Sequence, residues 1–255
     1  MRLRLVFSAL VAAALFISGC ASNQERDQTL AARDLYSQIQ ANIDAGNYKT
    51  AIQRLQTLES RFPFNDFGTQ AELELIYVNY LDKDYDTAED TADRFIREHP
   101  RHPDVDYAYY MKGVAYFDQA PGLLETMFGK DTYQRDPSDA DKSFQAFQLF
   151  LQKFPNSKYA PDARQRLVFL RDRLARYQWA VADYYMRRGA WIAALDRAYE
   201  IIRRYPETPS AKEALQIMVT AYRKLGMNQL ADDTTRILEL NFPGTSPDYK
   251  AHGPS

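Results

Sequence analysis

Cysteine is nearly absent: the 255-residue chain has one, Cys20, and a lone thiol cannot close an internal disulfide. Histidine is scarce too, with only His99, His102 and His252, so the usual ligand and general-base candidates are few. Strong charge of either sign is missing. The formal net charge is −2, and removing Arg2 and Arg4 from the 32 basic residues leaves 30 against 34 acidic ones. That balance argues against a fold dominated by nucleic-acid electrostatics, and no nucleic-acid partner is expected. No strand-like alternation competes with the helical patterns described below. No apolar run is long enough for an ordinary transmembrane helix, the longest being the 13 residues Leu5–Ile17.

That run has a purpose of its own. Arg2 and Arg4 precede it and Ile17-Ser18-Gly19-Cys20 follows, the layout of a secretory signal peptide over residues 1–19. Small residues before a cysteine resemble the lipobox of bacterial lipoproteins. The resemblance implies that cleavage leaves Cys20 first, carrying a diacylglyceryl thioether and an amide-linked acyl chain. Several acyl chains at about 0.8 kcal/mol per buried CH2 anchor a protein firmly without a spanning helix. Ala21, rather than Asp, follows the cysteine, which resembles the pattern sent on to the outer membrane. Residues 20–29 are then a short lipidated tether.

The strongest signal is a repeat. In Gly189–Pro206, the residues Ala194, Ala198, Ile201 and Tyr205 lie at 0, +4, +7 and +11, along one stripe of a helix that Pro206 ends. The same steps recur as Ala51, Leu55, Leu58, Phe62 before Pro63 and as Ala88, Ala92, Phe95, His99 before Pro100. They recur again as Ser143, Phe147, Phe150, Phe154 before Pro155 and as Ala231, Thr235, Leu238, Phe242 before Pro243. This spacing resembles the second helix of the tetratricopeptide repeat, A-x3-F and then P. The first helix of each pair then carries its marker positions 24 and 21 residues before the proline: Ala182/Tyr185, Val219/Tyr222, Ile39/Asn42 and Ile76/Asn79.

Proline anchors 63 to 100 and 206 to 243 are 37 apart, whereas 100 to 155 is 55 and 155 to 206 is 51. The excess of 18 fits an insertion at 121–138, which places Tyr109-x2-Lys112-Gly113-x2-Tyr116 on the marker pattern. The excess of 14 fits a lengthened helix over Pro161–Arg188, where no Gly or Pro follows the first residue. The expected helices are Leu30–Ala45, Tyr48–Arg61, Thr69–Leu81, Tyr85–Glu98, Val105–Gln119, Ala140–Lys153, Pro161–Arg188, Ala190–Arg204, Ser210–Leu225 and Asn228–Asn241. The fold class is all-α, a tetratricopeptide-repeat solenoid of five helix pairs over 30–243, with N-terminal repeats at 30–156 and C-terminal repeats at 161–243. Residues 244–255 are expected to be a flexible, frayed tail.

Catalytic and metal signals are poor, and neither a cofactor nor an enzyme is expected. Gly122–Lys130 departs from a phosphate loop, with six residues between its glycines and Asp131 where Ser or Thr should stand. Asp82, Asp84 and Asp86 imitate the start of a calcium loop, but Thr87 stands where Gly is needed and Asp93 where Glu is needed. A turn and helix start, with aspartates capping free N–H groups, is the better reading. His99 sits at the aromatic stripe position before Pro100, where packing or capping is expected.

Surface remains. In tetratricopeptide repeats the concave face is lined by the first helix of each pair, here Arg33, Tyr36, Gln40 and Ile43, then Gln70, Leu73, Tyr77 and Tyr80, then Tyr107, Tyr110, Val114 and Phe117. The fourth pair offers Arg176, Trp179, Asp183 and Met186, and the fifth Glu213, Gln216, Thr220 and Arg223. The face is aromatic in the first three pairs, which suits an extended, aromatic-containing peptide. Charge is divided as well: Asp66–Glu98 holds ten acidic and three basic residues, and Arg164–Arg204 ten arginines against four acidic residues. Arginine recognises carboxylates bidentately, so the second region offers a docking face for an acidic partner, or else a solvated helix face.

Three segments, Asp93–Gly113, Phe128–Phe144 and Lys153–Leu195, resemble the BamD (ComL) family, lipoproteins of the outer-membrane β-barrel assembly machinery. The resemblance runs from the lipobox to about Pro206. It implies a non-enzymatic scaffold, lipid-anchored at the periplasmic face of the outer membrane. N-terminal repeats of the family receive the C-terminal targeting strand of unfolded outer-membrane proteins, and C-terminal repeats dock on a POTRA domain of BamA and on the lipoproteins BamC and BamE. On this reading Tyr36, Tyr77, Tyr80, Tyr107, Tyr110 and Phe117 bind the substrate peptide. Arg187, Arg188 and Arg197 bind the partner, Arg197 by its place in the family's Gly189–Arg197 segment. The alternative is a cell-envelope tetratricopeptide lipoprotein that organises peptidoglycan or assists DNA uptake, whose binding to an anionic polymer would fall steeply with salt.

Overall fold

The computed structural model describes residues 29–63, 66–120 and 136–250. Cys20, the leader and most of the expected insertion at 121–138 lie outside the described residues. Within them the chain forms ten α-helices and no strand. They are α1 (29–44), α2 (Tyr48–Arg61), α3 (Asp66–Leu81), α4 (Tyr85–Glu98), α5 (Val105–Gln119), α6 (Ser138–Lys153), α7 (Ala160–Arg187), α8 (Trp191–Arg204), α9 (Ser210–Lys224) and α10 (Asn228–Asn241). The five expected helix pairs are present: α1/α2 and α3/α4 in a first compact unit that ends at Pro100, and α5/α6, α7/α8 and α9/α10 in a second that begins at Arg101.

The stripe positions explain the pairing. Ala51, Leu55 and Leu58, Ala88, Ala92 and Phe95, Phe147 and Phe150, Ala194, Ala198 and Ile201 are all fully or almost fully buried. In the first unit α2 delivers its stripe into a core with Ala32 and Ile39 of α1 and Ala71, Leu75 and Val78 of α3. In the second, α6 packs between α5 and α7, α8 between α7 and α9, and α7 also meets α9 directly. Within each unit, α2, α6 and α8 therefore each seal their own partner and the pair that follows, as stacked hairpins must when no pair has enough buried surface alone.

Tight turns join the hairpins. Gly46, Gly189 and Gly226 have φ of 73°, 71° and 74° just after the first helix of a pair, and Lys83 takes the same left-handed conformation at 63°. The next residue then donates its N–H five residues back, Asn47 to Asn42, Asp84 to Asn79, Ala190 to Tyr185 and Met227 to Tyr222, at 2.8–3.0 Å. These are Schellman closures, and their acceptors are the marker positions 21 residues before each proline. Asp84 caps α4, its carboxylate accepting from Thr87 N–H at 3.2 Å, which places the imitation calcium loop in a turn and helix start.

Most boundaries fall within one or two residues of expectation. Helix α3 starts three residues earlier than expected, at Asp66, whose carboxylate suits the helix N-terminus. Helix α7, with Pro161 in its first turn, has 28 residues and is about 42 Å long.

Candidate binding surfaces

In the first unit, α3 carries the open part of the aromatic face. Tyr77 is 40% exposed, and Tyr80 is half-buried with its ring 5.8 Å from that of Tyr85. Tyr36, on α1, is half-buried and tilts against Phe67 at 6.5 Å. Its hydroxyl donates to Glu74 of α3, and Gln40 of α1 donates to both oxygens of the same carboxylate at 3.1 Å. A single carboxylate thus fixes two groove-facing side chains of the neighbouring helix. Burial pushes Glu74 above the ordinary carboxylate value, against the lowering effect of its Tyr36, Gln70 and Gln40 hydrogen bonds. Burial, then the bond to Glu74, raises the Tyr36 phenol as well.

A carboxyl that is raised on folding binds more protons in the native state, so its contribution favours folding below the native pKa and weakens as pH rises through the range just above the ordinary glutamate value. Glu74→Gln keeps one acceptor oxygen for Tyr36 and Gln40 while removing the buried charge. Thermal melts between pH 4.5 and 7 are expected to show a shallower fall for the variant than for the parent, with a neutral-pH midpoint no lower. A parallel pair of curves would contradict this.

In the second unit the aromatic face is covered. The extra turns of α7 lie over this side of α5. Tyr159 stacks on Tyr110 at 4.7 Å and 11°, and Tyr110 donates to Asp162 Oδ2 at 2.8 Å. Phe169 reaches Phe117 at 6.0 Å, and the Arg166 guanidinium sits 4.6 Å above the Phe117 ring. Phe117 is 1% exposed. It is a core residue, and its expected role in an open groove is corrected. Tyr110 is held in the same seam, its phenol pushed up to about 12 by burial and then by its bond to Asp162. Tyr107 is half-buried, 5.4 Å from Tyr159. Leu73 and Val114, also nominal concave positions, are buried.

Of the tail expected to fray at 244–255, residues 251–255 lie outside the described residues and part of the rest is held. Residues 246–249 run back across α9 and α7. Gln216 donates to the carbonyl of Ser246 at 2.7 Å, Arg223 pairs with Asp248 at 2.8 Å, and the N–H of Tyr249 donates to Thr220 Oγ1 at 2.9 Å. The Tyr249 hydroxyl donates to Asp183 Oδ1 at 2.6 Å. Burial, and then this bond, push the phenol well above its usual value. All four α7 and α9 residues involved are nominal concave positions of the fourth and fifth pairs.

The arginines expected to face a partner stand in three different states. Arg187 pairs through Nε with the buried Asp183 at 3.2 Å. Arg188 lies 4.8 Å over the Tyr184 ring. Arg197, on α8, is exposed and donates to the neutral amide of Gln178 at 3.2 Å. On the same two helices Tyr184, Ile192 and Tyr199 are 44%, 64% and 57% exposed. An open pocket of about 340 Å³ on the same part of α7 is lined by Tyr177, Val181, Tyr184 and Arg187.

The chain is similar to known proteins along most of its length. Residues 28–237 match the model of the YfiO family, described as outer membrane lipoproteins. The chain belongs to this family. It is 41% identical over 239 residues to the outer membrane protein assembly factor BamD of Neisseria meningitidis, covering 91% of this chain and 90% of the relative. The corresponding factor of Vibrio cholerae is 37% identical, covering 92% and 97%, and that of Haemophilus influenzae 33%, covering 91% and 89%.

The YfiO match spans nearly all of the helical array and stops before residues 246–249, so the docked tail lies outside it. Elsewhere in this YfiO-family chain, ionisable clusters do structural work. His99 closes α4 with its ring 4.9 Å from Phe95 and its Nε2 3.1 Å from Glu72 Oε2. Glu72, Glu98 and His99 are the residues able to offer three metal-ligand atoms within 4.8 Å among the described residues. The His99–Glu72 hydrogen bond already engages two of the three. Among the described residues, no helix is long and apolar enough to cross a membrane.

Proposed function

We propose that the chain is a non-enzymatic scaffold for outer-membrane protein assembly, anchored through lipidated Cys20 to the periplasmic face of the outer membrane. Its first two hairpins bind the C-terminal targeting segment of unfolded outer-membrane proteins. Its later hairpins dock on a POTRA domain of BamA and on BamC and BamE. The observation that carries the substrate reading is the exposed Tyr77 beside half-buried Tyr80 and Tyr36 on one face of the first unit. Large, rigid phenols with a polar tip supply contact area at little entropic cost, and a carboxylate under them fixes Tyr36 and Gln40 in advance. The capture site therefore rests on Tyr36, Tyr77 and Tyr80, all in the first unit, whereas Tyr107 and Tyr110 of the second unit pack on Tyr159 there. The partner side rests on Arg188 and Arg197, with exposed Tyr184, Ile192 and Tyr199 on the same two helices and Arg187 held in its ion pair.

The test is binding of a barrel-protein C-terminal peptide, measured by fluorescence anisotropy. Tyr77→Ala/Tyr80→Ala is expected to weaken it at least about tenfold, the scale of losing aromatic anchors. Unchanged affinity in a variant with unchanged circular dichroism would remove these residues from the site and the substrate reading with them.

A further inference from the structure

The tail seated on α7 and α9 has the features of a ligand in a site. Gln216, Thr220 and Arg223 lie at 0, +4 and +7 of α9, one helical stripe, and each binds a different residue of the segment 246–249. Two of these contacts read backbone, the carbonyl of Ser246 and the N–H of Tyr249. The other two read side chains, Arg223 on the Asp248 carboxylate and Asp183 on the Tyr249 hydroxyl. Main-chain hydrogen bonds give hold and side-chain contacts give selectivity where extended peptides are recognised at sheet edges, and both kinds of contact meet here on two helices. Asp183 is 5% exposed and keeps Arg187 on its other oxygen, so the Tyr249 hydroxyl adds a donor to a carboxylate that is already buried and ion-paired.

We propose that this face is a recognition site for an extended segment of a partner protein in which a carboxylate directly precedes a tyrosine, and that the chain's own residues 246–249 occupy it until such a segment displaces them. The tether favours the resident segment. Helix α10 ends at Asn241, and Gly244, at φ 78°, turns the chain back within a few residues. A link this short gives an effective concentration on the order of millimolar, which a free competitor must exceed or outbind. The contacts that would yield first are at the surface, the Arg223 and Asp248 side chains being 43% and 71% exposed.

The experiment uses full-length protein and a fluorescein-labelled peptide with the sequence of Gly244–Lys250. Asp248→Ala/Tyr249→Ala vacates the site without touching the helical core. It is expected to bind the peptide at least tenfold more tightly than the parent, and adding Arg223→Ala is expected to undo the gain. In the parent, excess peptide should speed hydrogen exchange at the Tyr249 amide. Equal affinity of parent and tail variant, or no binding to either at about 1 mM peptide with unchanged melts, would overturn the proposal and leave the tail as packing. A dimer of the parent that dissociates in the tail variant would overturn it too, by placing a second copy's tail in the site.

Discussion

Phe147→Ala is expected to cost about 3–5 kcal/mol of stability in the second unit, the range for emptying a fully buried phenylalanine position. Phe147 is 0% exposed at the centre of the α5/α6 contact. Opposite it stands Gly113, where an added Cβ would meet the Phe147 ring at 2.6 Å. The two are a size pair: α5 has no side chain there so that the ring can lie against its backbone. The hydroxyl of Ser143 then reaches the Gly113 carbonyl at 2.8 Å. Gly113→Ala should therefore destabilise by about 1–3 kcal/mol through overpacking, outweighing the roughly 1 kcal/mol that alanine gains over glycine in a helix interior. In Gly113→Ala/Phe147→Ala the new methyl enters the space the ring leaves, and the double cost should fall below the sum of the singles. Urea unfolding followed by tryptophan fluorescence measures this cleanly, because Trp179 and Trp191, the chain's two tryptophans, both belong to the second unit. A strictly additive cycle would contradict the size-pair account.

Gly113 also marks how far the sequence could be read. Its place 24 residues before a proline, once the insertion is subtracted, is shared with Ile39, Ile76, Ala182 and Val219, and all five are buried. Core periodicity is a local property of a helix, so one stripe of small and apolar residues was enough to place five hairpins. The surface was less legible because its state depends on what lies across it. The extra length of α7 was visible in the proline spacing, but nothing in Tyr159, Asp162, Arg166 or Phe169 says that they fold over Tyr110 and Phe117. Glu74 was hidden by its type, since a carboxylate in an acidic stretch reads as solvated until Tyr36 and Gln40 are seen to converge on it. The tail was hidden by its brevity: Ser246-Pro247-Asp248-Tyr249 has no period, and its partners are 25–66 residues away. What the repeat register did supply was the other half of that contact, because Asp183, Gln216, Thr220 and Arg223 were already assigned to the concave face.

Arg197→Glu is expected to remove most co-purification with BamA, a loss of about 2–5 kcal/mol for breaking a desolvated charge pair, or thirtyfold and more in affinity. The ranking of the three arginines follows from what each already holds. Arg187 spends its charge on Asp183, so reversing it sets two carboxylates together beside a buried position and disturbs the fold as well as the interface. Arg188 is stacked on Tyr184, and Arg188→Ala loses packing together with charge. Arg197 is exposed and bonded to a neutral amide, so its guanidinium keeps an undiminished charge to offer an acidic partner. Arg197→Lys separates charge from geometry: an ammonium preserves the sign but not the planar fork, and an intermediate yield is expected if the partner carboxylate is gripped bidentately. Raising ionic strength should weaken the parent more than Arg197→Glu, since only the parent retains the attraction that salt screens. An undiminished yield from Arg197→Glu, with unchanged tryptophan emission, would move the docking face away from α8.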